Sequence, residues 1–269
     1  MAMCCSFIAI SGILSELTIK EVSVEALAHK KIHAEEPTLI TLRLTNHKNK
    51  IPSYSLNLSL PKNRGYIIEN SVQYFHIPSL GSVDKSVLLT ACKRGPIHIH
   101  SCELSTSFPF GFFIKSRTIE LNINSLVFPA IRKVMLPSPA ENNFDSIGTI
   151  VGQGEELYAL RDFRAGDGLS AVHWKSTAKT GDLRVKEFSR GGNQRYTIFL
   201  NTIDPQTNKS IDSETLEQRV IESASLCYHL IRRGDEVSLK THDHIISYGS
   251  SESKLEEILS FLALVGLEK

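Results

Sequence analysis

The chain has 269 residues, which is enough for two domains. Its composition, 41% hydrophobic and 22% charged, is typical of a globular protein. The net charge of +1 and the pI near 7.7 argue against nucleic acid as a partner, because binding phosphate backbones needs a concentrated basic surface.

The cysteine pattern argues against a disulfide framework. There are five cysteines, an odd number, and no Cys-x-x-Cys pair. A reducing compartment fits this pattern best, and zinc lacks the paired ligand spacing that it usually shows.

Residues 1–15 contain no charged side chain. A run of this length falls short of the roughly 20 apolar residues that span a bilayer, and no Lys or Arg precedes it as in a signal peptide. Two interpretations stay open: a buried first strand or frayed end, and the tail of a membrane helix.

Residues 16–128 alternate apolar and polar side chains in short runs separated by prolines and glycines. This pattern predicts an antiparallel β-sandwich. The aromatic segment 108–113, "FPFGFF", predicts a turn whose rings are anchored in the core of the sandwich.

Residues 129–154 are rich in proline, glycine and asparagine and predict a linker. Residues 155–269 predict a small α/β domain, so that the fold class overall is α+β. Within it we expect a strand at 195–201, strands at 236–240 and 245–249, and two helices.

The helix boundaries in this domain follow from capping residues. The first helix is capped by Asp212 or Ser213 and ends at Gly234. The final helix begins with Ser253 and Glu256 spaced as a capping box.

The segment 161–188 carries many charges of both signs around the only tryptophan of the chain, Trp174. Two turns, one helical turn over 174–179 and a returning strand over 183–188 would fold it back on itself. We predict a clasp in which a buried Trp174 and ion pairs fix the shape of the domain or present a docking surface.

A catalytic site is the alternative interpretation of the same segment. His173, Asp162 and Asp167 could serve as acid or base, with Ser176 or Thr177 as the hydroxyl. The chain has neither a Gly-x-Ser-x-Gly elbow nor a phosphate-binding loop.

The segment resembles the signature of the bacterial Domain of Unknown Function 58 family: Arg-x-aromatic, Gly-Asp, His/Asp-Trp-Lys, Ala, and a closing Val-x-Glu-Phe. The matching residues, with the neighbouring Arg164 added as a site residue, are Arg161, Phe163, Arg164, Gly166, Asp167, His173, Trp174, Lys175, Ala178, Val185, Glu187 and Phe188. Upstream, "KRGPIHI" and "TSFPFGFF" are similar to two further landmarks of the family.

The resemblance implies an N-terminal membrane hairpin, a β-sandwich and a domain similar to the von Willebrand factor A fold. It places the protein at the bacterial cytoplasmic membrane, with its folded part facing the cytoplasm. Members are often encoded beside MoxR-type AAA+ ATPases, and no reaction is established for the family.

The sequence departs from the family pattern at two places. The arginine pair that usually follows Gly-Asp is replaced by Ser170 and Ala171. The metal-binding Asp-x-Ser-x-Ser of A domains is replaced by Asn201, Ile203 and Pro205, and two of these lack a side-chain oxygen for a hard cation. We therefore expect no metal and no cofactor at this position.

Two histidine pairs, His98 with His100 and His242 with His244, place two imidazoles on one face. Neither pair has an obvious third ligand nearby, so a solvent-facing strand and a hairpin tip are the simpler interpretations.

Together these features predict a non-enzymatic, membrane-associated adaptor or assembly factor. Its expected partner is a protein, plausibly a AAA+ ATPase. The alternative is a hydrolase that uses Asp167 and His173.

Overall fold

The structure is a computed structural model. The residues that it describes fall in these ranges: 2–27, 31–68, 71–137, 143–146, 149–153, 159–163, 172–187, 194–203 and 211–267. The chain forms two compact units, one of Met1–Ile131 with Leu259–Lys269 and the other of Arg132–Ile258.

The first unit is built mainly from strands. Its elements are helix Ala2–Ile19 (α1) and strands Val22–Ala26 (β1), Ile32–His33 (β2), Pro37–Asn46 (β3), Ser53–Ser59 (β4), Tyr66–Ile68 (β5), Val72–Ile77 (β6), Ser82–Ala91 (β7), Gly95–Thr106 (β8) and Lys115–Phe128 (β9). One sheet has the order β1-β3-β7-β5, and the other has the order β2-β9-β8-β4-β6. All described pairings are antiparallel except β2 with β9.

Period-two alternation buries one side of these strands. Ile40, Leu42 and Leu44 of β3 and Leu104 of β8 are fully buried. Tyr74 of β6 is buried with them, and its hydroxyl donates a hydrogen bond to the Leu42 carbonyl at 3.0 Å. Burial raises the pKa of this phenol, so the hydroxyl keeps the proton that it donates.

Helix α1 packs its polar side, and not its apolar side, against the strands. Ser11, Ser15 and Thr18 are buried, and the Ser15 hydroxyl donates to the Phe108 carbonyl at 2.6 Å. Residues 2–15 therefore belong to a helix that continues to Ile19, and the interpretation as a first strand is wrong.

A buried lysine holds the end of α1. The Lys48 ammonium donates to the carbonyls of Thr18 and Lys20, at 3.2 and 2.8 Å, and to the Ser53 hydroxyl at 2.7 Å. A cation at this end complements the helix dipole. Burial lowers the pKa of Lys48, so the carbonyls that accept its hydrogen bonds have to compensate for lost hydration.

Within the part of the chain that the structure describes, no helix has both the length and the apolarity that a bilayer-spanning segment needs. The predicted location at the bacterial cytoplasmic membrane is wrong on this finding.

The second unit combines strands with two longer helices, of which α4 continues into the first unit. Its elements are strands Asn143–Ser146 (β10), Thr149–Gln153 (β11), Ala159–Asp162 (β12), Arg184–Glu187 (β13), Arg195–Leu200 (β14), Glu236–Lys240 (β15) and Ile245–Gly249 (β16), and helices Trp174–Thr180 (α2), Ser213–Arg233 (α3) and Glu252–Leu264 (α4). The main sheet has the order β10-β11-β14-β15-β16.

The predicted fold class, a β-sandwich followed by a small von Willebrand factor A-like α/β domain, is wrong. A doubly wound α/β domain has a mostly parallel sheet. In the main sheet of this unit only β14 and β15 pair in parallel, and the other described pairings are antiparallel. The described fold is mostly β, and it mixes helices and strands only in the broad sense of the α+β class.

Strands also occupy part of the predicted linker. β10 and β11 lie within residues 143–153, and β11 pairs with β14 from Thr149↔Leu200 to Gln153↔Tyr196. The glycines and prolines of this region had suggested a connector, but the run Thr149–Gln153 supplies a short strand that adds to the sheet.

Helix α3 confirms its predicted limits. The Asp212 carboxylate accepts a hydrogen bond from the Thr215 amide at 3.0 Å, which lowers the pKa of Asp212, and Gly234 ends the helix with a φ of 99°. Helix α4 begins differently from the prediction: the Ser251 hydroxyl, and not Ser253, caps it by accepting from the Lys254 amide at 3.1 Å.

The second half of α4 belongs to the first unit. The guanidinium of Arg94, a buried side chain, donates to the Leu262 carbonyl. Gly95 adopts a φ of +114°, and a Cβ there would lie 2.8 Å from Leu267 Cδ1, so only glycine fits at this close approach.

Candidate functional site

The predicted clasp rests on a two-stranded antiparallel sheet of β12 and β13. Their register pairs Arg161 with Val185 and Asp162 with Arg184. The Phe163 amide extends the pairing by donating to the Leu183 carbonyl at 2.9 Å. The two strands of the segment therefore pair through backbone hydrogen bonds.

Helix α2 closes onto this sheet. Val172 forms a bridge with Val185, and both side chains are buried. The Arg184 amide donates to the Thr177 hydroxyl at 3.1 Å, so the helix is fastened to β13 by a side chain as well. The predicted helical turn and returning strand are confirmed, and Gly181, at a φ of 80°, makes the turn between them.

His173 caps helix α2. Its Nδ1 accepts a hydrogen bond from the Ser176 amide at 3.1 Å, while its backbone amide donates to the Arg184 carbonyl at 2.8 Å. Because Nδ1 accepts, the neutral ring carries its proton on Nε2. The acceptor nitrogen is thus already occupied, and a general base would need that lone pair for its substrate.

The expectation of a buried Trp174 is wrong, because 62% of this residue is exposed. It lies at the first position of α2, and Lys175 and Lys179 on the same helix are exposed too. Among the described residues of the clasp, the buried hydrophobic side chains are Val172 and Val185. The indole of Trp174 is therefore accessible at the surface of the clasp.

The remaining predicted residues divide between described and undescribed parts of the chain. Ala178 lies on the exposed side of α2. The backbones of Arg161 and Glu187 lie in the paired strands β12 and β13. The residues that fall outside the described ranges are Arg164, Gly166, Asp167, Ser170, Ala171 and Phe188.

The degenerate metal position follows strand β14. The Asn201 carbonyl accepts a hydrogen bond from the Arg219 guanidinium at 3.0 Å, Ile203 lies beyond it, and Pro205 is outside the described residues. Among the residues that the structure describes, no group of three or more His, Cys, Asp or Glu side chains could hold a metal ion. The prediction that this position binds no metal stays a prediction.

Two of the free cysteines are poor nucleophiles. Cys102 and Cys227 are buried, and burial raises the pKa of both thiols, that of Cys102 to about 11. Since the thiolate is the reactive form, neither side chain is suited to covalent catalysis.

An exposed apolar surface lies elsewhere, and the sequence analysis missed it. Its members come from α1 and from the turn between β8 and β9: Phe7, Ile8, Ile10, Ile13, Phe110, Phe112, Phe113 and Ile114. The rings of Phe7 and Phe110 meet at 5.2 Å between centroids. The predicted core anchor for these rings is therefore wrong.

No family model matches the chain. The chain is 21% identical over 190 residues to "Uncharacterized protein YeaD" of Bacillus subtilis (strain 168), which covers 68% of this chain and 46% of that protein. The chain thus aligns with less than half the length of this relative. The name of the relative states no activity or partner.

Proposed function

We propose that this protein is a non-enzymatic adaptor that docks a protein partner through the outer face of the clasp. The described residues that form the clasp are 159–163 and 172–187. We call the exposed residues Trp174, Lys175 and Lys179 of α2 its outer face. The observation that supports the proposal is the exposed Trp174, held at the start of a capped helix.

Tryptophan is a costly residue to leave in water unless something covers it. Its ring offers a large apolar area with one N–H donor, and exposed rings of this kind are enriched at the energetic centres of protein interfaces. Lys175 and Lys179, four residues apart and exposed on the same helix, suit a partner surface that is apolar at its centre and acidic at its rim.

The proposed partner is a MoxR-type AAA+ ATPase, and the proposed role is assembly or maturation of other proteins. This part of the proposal is supported by the resemblance of the segment to the Domain of Unknown Function 58 signature. The clasp geometry supports only the docking surface itself.

The alternative function, a hydrolase, has less support from the described residues. His173 uses Nδ1 as a cap and the Thr177 hydroxyl accepts from the Arg184 amide, so both groups have structural partners. Asp167 lies outside the described residues.

A binding measurement tests the proposal. The purified chain would be immobilised, and a MoxR-type ATPase encoded in the same genome would be titrated over it with and without nucleotide. We expect Trp174→Ala to weaken the affinity by about 30-fold or more, because an interface hot spot costs about 2 kcal/mol or more.

The matched control is Phe75→Ala, which removes a ring that is 73% exposed on β6. This variant should bind as the wild type does. Equal binding by the wild type and Trp174→Ala would overturn the docking surface, and absence of binding by the wild type would overturn the choice of partner. Hydrolysis of ester or peptide substrates that is lost in both Asp167→Asn and His173→Asn would favour the enzyme instead.

A further inference from the structure

A pair of histidines lies on the first unit, on the exposed face of strands β8 and β9. His98 and His100 are two residues apart on β8, and both side chains are exposed. Their rings are parallel within 2°, with centroids 5.9 Å apart. Positions two apart on a strand are separated by about 6.6 to 6.8 Å, so the imidazoles lean toward one another.

The strand is irregular at this point. The register of β8 with β9 shifts between Ile99 and Ser101, so that His100 lies opposite two residues, Leu121 and Asn122, and the extra residue of the β-bulge is on β9. Bulges commonly redirect a side chain next to a functional site. Here the irregularity accompanies two rings that stack on the same face.

A neighbouring asparagine fixes the tautomer of His98. The Asn124 amide nitrogen donates to the Asn122 side-chain oxygen at 2.7 Å, so the Asn124 oxygen is the atom that faces His98. That oxygen lies 2.8 Å from His98 Nδ1 and can only accept, which places the ring proton on Nδ1. The Nε2 atom of His98 is then left with a free lone pair.

This is the arrangement that metal-binding histidines show. A ligating imidazole usually donates its second ring N–H to a protein oxygen, which holds the ring and keeps the other nitrogen available for the metal. Metal–nitrogen bonds of about 2 Å place each ring centroid about 3 Å from the ion, so two rings on one ion lie about 4.5 to 6.5 Å apart. The observed 5.9 Å falls within this range. Because the two rings are parallel as they stand, one of them has to rotate about its Cβ–Cγ bond for both in-plane lone pairs to meet at one ion.

We infer that His98 and His100 form a two-imidazole site for a late divalent transition metal. Among such ions Cu²⁺ binds nitrogen ligands most tightly, and its tetragonal geometry accepts two imidazoles with water in the other positions. Two imidazoles and water complete the coordination of this ion. The lack of a third protein ligand, noted in the sequence analysis, therefore does not exclude the site. It is independent of the proposed docking function.

Calorimetric titration with CuCl₂ tests the site, using the full chain after its accessible thiols have been blocked with iodoacetamide. We expect one ion per chain at the tightest site and an electron paramagnetic resonance spectrum with two coordinated nitrogens. His98→Ala and His100→Ala should each weaken this binding by about tenfold or more. Asn124→Ala should weaken the binding of copper less. Both histidine ligands remain in this variant, and only the hydrogen bond that fixes the tautomer of His98 is lost.

The other histidine pair is the matched control. His242 and His244 have the same spacing but lie in the turn between β15 and β16 and not within a strand. The double variant His242→Ala/His244→Ala should keep the affinity and the spectrum of the wild type. Wild-type affinity and an unchanged spectrum in His98→Ala/His100→Ala would overturn the inference, as would loss of the site in the control.

Discussion

At the scale of single residues, Trp174 is placed to contribute to recognition and little to stability. Because 62% of it is exposed, we expect Trp174→Ala to change the free energy of unfolding by no more than about 0.5 kcal/mol, as for other surface substitutions. Thermal unfolding monitored by circular dichroism measures this directly.

Val185→Ala is the comparison within the same clasp. Val185 is buried against Val172, so its truncation should cost about 1 to 3 kcal/mol and lower the midpoint clearly. If Trp174→Ala lowered the midpoint as far as Val185→Ala does, the indole would be part of the core and the docking surface would lose its basis.

His173 has a structural task that can be separated from any chemical one. His173→Ala removes the acceptor of the Ser176 amide and should destabilise the protein by about 0.5 to 2 kcal/mol, as loss of a helix cap does. His173→Asn supplies a side-chain oxygen at a similar place and should restore most of the loss. Urea unfolding of the three proteins decides this, and equal loss in both variants would exclude the capping role.

At the scale of elements, the start of α3 gives a prediction with a defined pH dependence. The bond from the Thr215 amide lowers the folded-state pKa of Asp212, so the carboxylate stabilises the fold above its unfolded pKa. That contribution is lost as the pH falls through the folded pKa, because the protonated acid no longer caps as an anion.

We therefore expect Asp212→Ala to be less stable than the wild type at pH 7 and the gap to narrow as the pH drops below about 4. Asp212→Asn keeps a capping oxygen without a titrating charge and should show no such narrowing against Asp212→Ala. Urea unfolding at a series of pH values measures both differences. A gap between wild type and Asp212→Ala that stays constant to pH 3 would contradict the prediction.

Sequence patterns located elements well where periodicity and caps agreed. Apolar positions spaced by three or four, with Asp212 before them and Gly234 after them, defined α3, and short apolar runs defined β15 and β16. The start of α4 was misplaced because Ser251 and Ser253 are both residues that commonly cap a helix, and in the structure the Ser251 hydroxyl accepts from the Lys254 amide.

Sequence patterns failed where a polar side chain is buried or an apolar side chain is exposed. In α1 Ser11 and Ser15 are buried while Ile8, Ile10 and Ile13 are exposed, the reverse of what their hydrophobicity suggests. The backbone of the clasp followed from its turns and strand, but the buried hydrophobic residues described there are Val172 and Val185, and Trp174 is exposed. The local sequence around an aromatic residue does not carry that information.

At the scale of the whole molecule, α4 contributes to both units. Leu262 is fully buried, and its carbonyl accepts from Arg94 in the first unit. We expect Leu262→Ala to cost about 2 to 5 kcal/mol and to increase hydrogen exchange in β8, although the two segments are far apart in sequence. Leu264→Ala, on the same helix but 53% exposed, should leave exchange in β8 unchanged. Faster exchange confined to the second unit would contradict this.

The sharing of α4 also bears on how a ribosome makes this protein. The strands of the first unit emerge early, but residues 259–269, which complete that unit, emerge only after the whole second unit has been synthesised. Until then Arg94 lacks the Leu262 carbonyl and Gly95 lacks its close neighbour Leu267. The nascent first unit therefore lacks these contacts while roughly 130 residues are translated, about 6 to 26 seconds at elongation rates of about 5 to 20 residues per second.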